Sequence, residues 1–217
     1  MIDKINHSKE LIAKAISIYP KIAIASSFGK DSVVLIHLAQ QIKPDIKIFS
    51  VMTPYKFKET RDYKDKLTKE WKLNITTYEA SELGMLLYKK DIKQCCKYYK
   101  VDQVKRAIEE LDLNAWISGM RATEGETRRD VPEVQIDDGL IKVNPILDWT
   151  EADVWMYHSY NNISPNPLYL QGYRSLGCEP CSSKGGVLER DGRWQGTSNQ
   201  GGECQIHTIG MRSGDKL

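Results

Sequence analysis

The chain has 217 residues, of which 41% are apolar and 28% charged, and it carries a formal net charge of +2 from 31 Lys and Arg against 29 Asp and Glu. These values exclude an intrinsically disordered protein, and the near-neutral charge gives no electrostatic sign of a nucleic-acid partner. No apolar run approaches the ~20 residues of a membrane span and no secretory signal is visible, so we expect a cytoplasmic protein without a membrane partner.

Strand and helix patterns alternate along the chain from residue 21. Apolar runs predict strands at 21–26, 46–51, 74–78 and 115–118. Between them, helical periodicity and charge pairs predict helices at 31–41, 57–71 and 95–111. This alternation predicts parallel βαβ units with right-handed crossovers.

The second half of the chain begins with turn and capping signals. Asp-Asp-Gly at 137–139 between two apolar runs predicts a hairpin, and Thr150 three residues before Asp153 predicts a capped helix that ends near Tyr160. Pro and Gly are frequent from residue 161 onward. We therefore predict an α/β fold with a doubly wound, mostly parallel sheet over 1–160 and a loop-rich C-terminal segment over 161–217, in one structural domain overall.

A loop of small residues joins the first predicted strand to the first predicted helix. Small side chains let a ligand approach the backbone, and the helix N-terminus offers free N–H groups to an anion. The segment lacks the Walker A pattern, and its alternative interpretation is a plain βα turn. The predicted nucleotide-binding loop consists of Ser26, Ser27, Phe28, Gly29, Lys30, Asp31 and Ser32.

Four of the five cysteines form two pairs, Cys95-Cys96 and Cys178-x-x-Cys181. A Cys-x-x-Cys pair is a common half-site for zinc or for an iron–sulfur cluster. Two adjacent cysteines cannot easily turn toward one zinc ion, whereas a four-iron cube accepts neighbouring thiolates more readily. The pattern favours a [4Fe–4S] cluster first and structural zinc second, and a buried cysteine pair with an unrelated redox pair is the alternative.

Further side chains suit an anionic substrate. Cys204 lies in a glycine-containing stretch with His207 close behind, so it is a candidate nucleophile, although a free surface thiol is the simpler interpretation. Basic side chains suit a phosphate or sulfate group, or else form solvated surface. They are Lys100, Arg121, Arg128, Arg129, Arg190 and Arg193.

The motifs in their order resemble the assimilatory sulfonucleotide reductases, the family of adenylyl-sulfate (APS) and phosphoadenylyl-sulfate (PAPS) reductases. The resemblance covers roughly residues 20–207. The matching segments are Ser-Ser-Phe-Gly at 26–29, Cys-Cys-x-x-x-Lys at 95–100, Gly-x-Arg from Gly119, Val-Asn-Pro-Ile-x-Asp-Trp-Thr-Glu-x-Asp-Val-Trp at 143–155, Gly-Tyr-x-Ser-Leu-Gly-Cys-x-Pro-Cys at 172–181, Arg-x-Gly-Arg-Trp at 190–194 and Glu-Cys-x-Ile-His at 203–207.

The resemblance implies roles for these residues and a fold of the adenine-nucleotide α-hydrolase (PP-loop) type. The two cysteine pairs would ligate a [4Fe–4S] cluster, Lys100 would lie between cluster and substrate, and Arg190 and Arg193 would hold the phosphosulfate. Cys204 would attack the sulfur of APS or PAPS and carry an S-sulfo group, with His207 in its usual family position. Thioredoxin or glutaredoxin would then release sulfite, and a homodimer is implied by analogy.

Departures from the family pattern keep two alternatives open. Gly201-Gly202 replaces a family lysine before Glu203, and Gln205 replaces a glycine. Gly-Lys-Asp-Ser at 29–32 matches ATP pyrophosphatases better, and 53–60 is similar to ATP sulfurylase small subunits. The alternatives are an adenylating or sulfur-transfer enzyme, for instance in nucleic-acid thiolation, and a non-catalytic cluster-bearing module. The choice between APS and PAPS also stays open, although Lys30 adds positive charge that could meet a 3'-phosphate.

Overall fold

The computed structural model describes residues 1–81, 87–137 and 139–199. The helices are α1 (Ile2–Ile18), α2 (Lys30–Gln40), α3 (Lys58–Glu70), α4 (Leu87–Lys90), α5 (Ile92–Cys96), α6 (Asp102–Glu110), α7 (Glu151–Tyr160) and α8 (Pro167–Leu170). The strands are β1 (Ile22–Ala25), β2 (Lys47–Met52), β3 (Asn74–Glu79), β4 (Ala115–Ile117), β5 (Val134–Asp137) and β6 (Leu140–Val143).

The six strands form one sheet in the order β3-β2-β1-β4-β6-β5. All neighbours are parallel except the β5–β6 hairpin, so the predicted α/β fold class and the predicted hairpin are confirmed. β1 pairs with β2 on one side and with β4 on the other, for example through Ile24, which faces Ile48 and Ile117. The chain order therefore reverses direction at β1, and a ligand cleft is expected beside the carboxyl ends of β1 and β4.

Helices cover both faces of the sheet, which is why the central strands are apolar without alternation. On one face, buried side chains of α2 such as Val34 and Leu38 pack against Ile24 and Ile48. On the other face, Val104 and Ala107 of α6 pack with Phe49 and Trp116. No helix within the described ranges has the length and apolarity needed to cross a membrane.

The helix α1 was not predicted from the sequence. Ile5, Ile12 and Ile16 follow helical spacing and pack on the core, and the polar Ser8 on the same face is also buried. The Ser8 hydroxyl donates to the carbonyl of Pro145 at 2.6 Å and accepts from Nε1 of Trp149 at 3.1 Å. The contact partners lie more than 130 residues away, so local periodicity could not reveal them.

The predicted helix at 95–111 begins earlier and is interrupted. It starts at Ile92, because the Asp91 carboxylate accepts from the amides of Lys93 and Gln94 and caps the first turn. A π turn, Lys97–Val101, then separates α5 from α6. A π turn closes on residue i+5 and so brings Lys100 back toward the side of the helix that carries Cys95.

The region after residue 150 agrees with the sequence pattern. Thr150 and Asp153 form a reciprocal capping box at the start of α7, as predicted. Beyond Tyr160 the described residues contain only α8 and a short 3₁₀ turn, Glu179–Cys181, between loops. The boundary between 1–160 and 161–217 stays a prediction, and Cys204 and His207 lie outside the described residues.

Candidate functional site: a cationic cleft beside a cysteine cavity

A cleft opens at the carboxyl ends of β1 and β4. The α2 N-terminus faces it, as expected for an anion-binding loop at a topological switch point. Most of the predicted substrate-binding residues line this cleft. They are Ser26, Ser27, Gly29, Lys30, Asp31, Ser32, Lys100, Gly119, Arg128, Arg190 and Arg193.

The loop after β1 is shaped by its own hydrogen bonds. The amide of Phe28 donates to the Ser26 hydroxyl at 3.2 Å, and Phe28 takes a left-handed backbone conformation (φ 57°). The Phe28 side chain is fully buried in the core rather than in the cleft, which differs from the prediction. Gly119 lets β4 approach this loop, because a Cβ there would lie 3.2 Å from the backbone nitrogen of Ser32.

Four charged side chains form a buried ion cluster beneath the loop. Nζ of Lys30 lies 2.6 Å from Oε1 of Glu189, and Nε of Arg121 lies 2.6 Å from Oδ1 of Asp31. Arg121 also donates to Glu189. The Arg121 side chain is completely buried and does not line the cleft, so its predicted contact with substrate is replaced by a contact within the protein.

The carboxylates of the cluster depend on its cations. Burial opposes ionisation of Asp31, but Lys30 and Arg121 hold its pKa below the ordinary value. Burial raises the pKa of Glu189, while Lys30 and Arg121 oppose that rise. Asp31, Glu124 and Glu189 lie within 4.8 Å of one another, and Lys30 and Arg121 offset this charge. Nothing in the sequence pattern had singled out Glu189.

Arg193, which lines the cleft, differs from the cations of the ion cluster in its surroundings. Its side chain is largely buried (the residue is 8% exposed), it stacks 4.4 Å above the Trp194 ring, and its Nε has no hydrogen-bond partner. Across the described part of the chain, no carboxylate lies within 4.0 Å of it, whereas every cation of the ion cluster has one. Gly177 makes room for this guanidinium, since a Cβ at that position would lie 2.2 Å from Nη2. A buried cation without an acidic partner suits an incoming anion.

The two cysteine pairs meet beside this cleft. Cys95, Cys96, Cys178 and Cys181 are buried, form no disulfide and line one small cavity. The turn carrying Cys178 is attached to the loop after β2, because the amide of Glu179 donates to the carbonyl of Tyr55 at 2.8 Å. Lys100 lines both this cavity and the cleft.

The thiols differ in their acidity. Burial raises the pKa of Cys95 to about 11, together with the nearby Cys178 and against the charge of Lys100. Burial also opposes ionisation of Cys178, but Lys100, Lys56 and a 3.1 Å contact with the Thr53 hydroxyl bring its pKa below the ordinary value. The charge of Lys100 therefore favours the thiolate form of both Cys95 and Cys178.

The donor set can be tested against the two metal centres that the sequence suggested. A Zn–S bond of about 2.3 Å places two sulfurs of a tetrahedral site about 3.8 Å apart. Among the described residues, no three cysteine sulfurs lie within 4.8 Å of one another, and Nε1 of Trp194, packed against Cys178 and Cys181, is buried without a partner. Four thiols around one cavity, with the unpartnered Nε1–H of Trp194 beside two of them, fit a cluster larger than a single zinc ion.

Comparisons with known proteins point to one family. Residues 21–184 match the family model described as phosphoadenosine phosphosulfate reductase domain. An adenosine 5'-phosphosulfate reductase of Lysinibacillus sphaericus is 36% identical over 200 residues, covering 86% of this chain and 84% of the relative. A phosphoadenosine 5'-phosphosulfate reductase of Xylella fastidiosa is 35% identical over 202 residues, covering 85% and 82%.

Solved structures show the same fold. The phosphoadenylyl-sulfate reductase of Candida auris, in a phosphate complex, has a TM-score of 0.71 at 24% identity and covers 82% of this chain and 90% of its own. The FMN adenylyltransferase of Candida glabrata reaches 0.68 at 16% identity, covering 84% of this chain and 65% of its own. The family model and the sequence relatives together show that the chain belongs to the phosphoadenosine phosphosulfate reductase domain family and is a sulfonucleotide reductase.

Proposed function

We propose that the protein reduces APS or PAPS to sulfite, releasing AMP or adenosine 3',5'-bisphosphate, with a thioredoxin-type dithiol as reductant. The observation that carries this proposal is Arg193, a buried cation in the cleft with no carboxylate within 4.0 Å among the described residues. An enzyme that brings an anionic thiolate to an anionic substrate needs such charge at the reacting group.

The cleft accounts for binding of the nucleotide and its charged end. The small residues of the loop after β1 and the N-terminus of α2 would receive a phosphate through backbone N–H groups. Arg190 and Arg193 flank the same cleft and stack on Trp194 at 5.3 Å and 4.4 Å, which fixes the planes of both guanidinium groups. Bidentate hydrogen bonds from such groups suit a phosphate or sulfate.

The cysteine cavity supports a bound [4Fe–4S] cluster, with Cys95, Cys96, Cys178 and Cys181 as ligands. When bound, the cluster would supply a fixed electrostatic environment beside the substrate. Lys100 borders both the cavity and the cleft, so its ammonium group links the charge of the thiolates to that of the substrate. This chain's own residues bind, orient and neutralise the substrate.

The chemical step is assigned to Cys204, which lies outside the described residues. Its thiolate attacks the sulfo sulfur, the S–O bond to the phosphate breaks, and the phosphate oxygen leaves with AMP or adenosine 3',5'-bisphosphate. The product is an S-sulfocysteine. A thiolate of the reductant then attacks Sγ of Cys204, sulfite leaves with the bonding pair, and the second thiol resolves the mixed disulfide. The dithiol is oxidised by two electrons, and the substrate sulfur is reduced by two.

The alternative of an ATP pyrophosphatase has less support. That assignment rested on Gly-Lys-Asp-Ser at 29–32, where Lys30 would contact phosphate. Nζ of Lys30 instead binds Glu189 at 2.6 Å and the carbonyl of Arg174 at 3.0 Å. The same contacts remove the support for a 3'-phosphate bound by Lys30. The likeness to FMN adenylyltransferase concerns the fold alone.

A crossed pair of variants tests the proposal. Cys204→Ser should lower sulfite release from APS or PAPS at least about 1,000-fold and leave iron content unchanged, because it removes the nucleophile only. Cys178→Ser should lose iron and labile sulfide, because it removes a ligand. Mass spectrometry of wild-type protein incubated with substrate, before reductant is added, should find one sulfo group on Cys204. Full turnover by Cys204→Ser would refute the mechanism, and unchanged iron in Cys178→Ser would refute the ligand set.

A further inference from the structure

The turn that carries the two cleft arginines also carries a buried carboxylate, Glu189, which attaches it to elements beside the sheet. Glu189 precedes Arg190 directly, and its carboxylate contacts both Lys30, the first residue of α2, and Arg121, which follows β4. Glu189 and Lys30 are 8% and 2% exposed, so water does not screen their interaction effectively.

The turn is short and internally bonded, so its anchor fixes its arginines. The amide of Arg193 donates to the carbonyl of Arg190 at 2.8 Å, and the amide of Leu188 donates to the Asp191 carboxylate at 2.8 Å. On its far side, the amide of Trp194 donates to the carbonyl of Cys181 at 3.1 Å. A movement of Glu189 would therefore pass to Arg190 and Arg193 rather than be absorbed in a loose loop.

The charges of the ion cluster balance. The cations Lys30 and Arg121 face the carboxylates of Asp31 and Glu189, and the neighbouring carboxylate of Glu124 is paired with Arg128. The cluster consequently competes little with the cleft for the substrate's negative charge, and the positive charge of Arg193 is left for it. Lys30 lines the cleft, but its ammonium group donates hydrogen bonds to the C-terminal segment, at Glu189 and at the carbonyl of Arg174.

We infer that Glu189 is a positioning residue: it attaches the Arg190–Arg193 turn to Lys30 and Arg121, and thereby sets where the guanidinium group of Arg193 meets the anionic end of a sulfonucleotide. The inference rests on the proposed function for the identity of that ligand. It makes Lys30 part of the same anchor and not a ligand of the substrate.

A double-mutant cycle in substrate binding tests this role, since a residue that acts through Arg193 must lose its effect when Arg193 is absent. All proteins carry Cys204→Ser to prevent turnover, and APS and PAPS are titrated by calorimetry. With Arg193 present, Glu189→Gln should weaken binding about tenfold or more, because misplacement of a charged contact is costly. With Arg193→Ala, the same change should weaken binding less than about twofold.

Two further variants separate positioning from general structure. Glu70→Gln makes the same chemical change at an exposed ion pair on α3, with Lys66, and it should leave affinity within about twofold. Glu189→Asp keeps the charge and shortens its reach, so it should weaken binding by an intermediate factor. This variant replaces Glu189→Gln in the cycle if the latter does not fold.

The outcomes are distinguishable. An equal loss from the Glu189 change with and without Arg193, or no loss in either background, would overturn the positioning role while leaving the proposed function intact. A loss from Glu70→Gln as large as that from Glu189→Gln would also overturn it. Failure of the Cys204→Ser parent to bind either APS or PAPS would refute the proposed function and the inference with it.

Discussion

The ion cluster beneath the loop and the cationic wall of the cleft both contain a buried arginine, yet the two arginines have opposite surroundings. Arg121 lies between the carboxylates of Asp31 and Glu189, whereas Arg193 has no carboxylate within 4.0 Å among the described residues. The positive charge of a residue near a nucleotide cleft is therefore not enough to make that residue a ligand of the substrate. What distinguishes a structural cation from a binding one is whether the protein already supplies its counter-charge.

The largest expected effect is on stability, from Arg121→Met. Removal of this guanidinium leaves Asp31 and Glu189 with Lys30 as their remaining partner in the ion cluster, and breaking a buried pair costs about 3–5 kcal/mol. The free energy of unfolding should fall by that amount in urea titrations. Arg129→Met, which removes an exposed pair with Glu126, is the control and should cost less than about 1 kcal/mol. A stable Arg121→Met protein with weakened substrate binding would reverse the assignment.

Arg193→Ala should show the opposite pattern. Affinity for APS or PAPS should fall about 100-fold, or about 2.8 kcal/mol, because the substrate loses a buried charge-assisted contact. The free energy of unfolding should fall much less than in Arg121→Met, since no carboxylate within 4.0 Å among the described residues loses its partner. Calorimetric titration and urea unfolding of the same preparations measure both quantities. If both variants lost stability equally, the distinction between the two regions would fail.

The π turn between α5 and α6 offers a smaller effect. Lys100→Met removes the ammonium group that this turn places between the cysteine cavity and the cleft, and it should weaken substrate binding about tenfold. The control Lys97→Ala, in the same turn, loses only an exposed ion pair with Asp102, so it should bind normally. Affinity for APS is measured by titration of the two proteins, and equal affinities would show that Lys100 does not contribute to substrate binding.

The smallest effect concerns acid stability. The folded-state pKa of Asp31 is lowered by Lys30 and Arg121, so its contribution is fully present above the unfolded pKa of about 3.9 and is lost as the pH falls below it. The free energy of unfolding of the wild type should therefore decline more steeply than that of Asp31→Asn between about pH 5 and pH 3. Urea titrations at several pH values measure the slopes. Parallel slopes would mean that Asp31 is not held ionised by the ion cluster.

Local pattern was sufficient for most strands, for several helices and for much of the candidate site. The alternation of apolar runs with helical periodicity predicted the parallel sheet, and Thr150 with Asp153 predicted the capping box, because both signals depend on neighbours within a few residues. The cysteine pairs were visible for the same reason. Their meeting around one cavity was expected from the resemblance, and the structure places the four thiols there.

The sequence by itself determined the fold class, the position of the loop after β1 and the residue types available for anion and cluster binding. Tertiary structure alone decided which basic residues are neutralised. Glu189 lies 159 residues from Lys30 and 68 from Arg121, so no spacing rule relates them. The π turn that orients Lys100 and the burial of Phe28 were likewise decided by packing. The physical reason is that a charge is structural or functional according to its counter-charge and its access to water, and both are set by distant parts of the chain brought together in the fold.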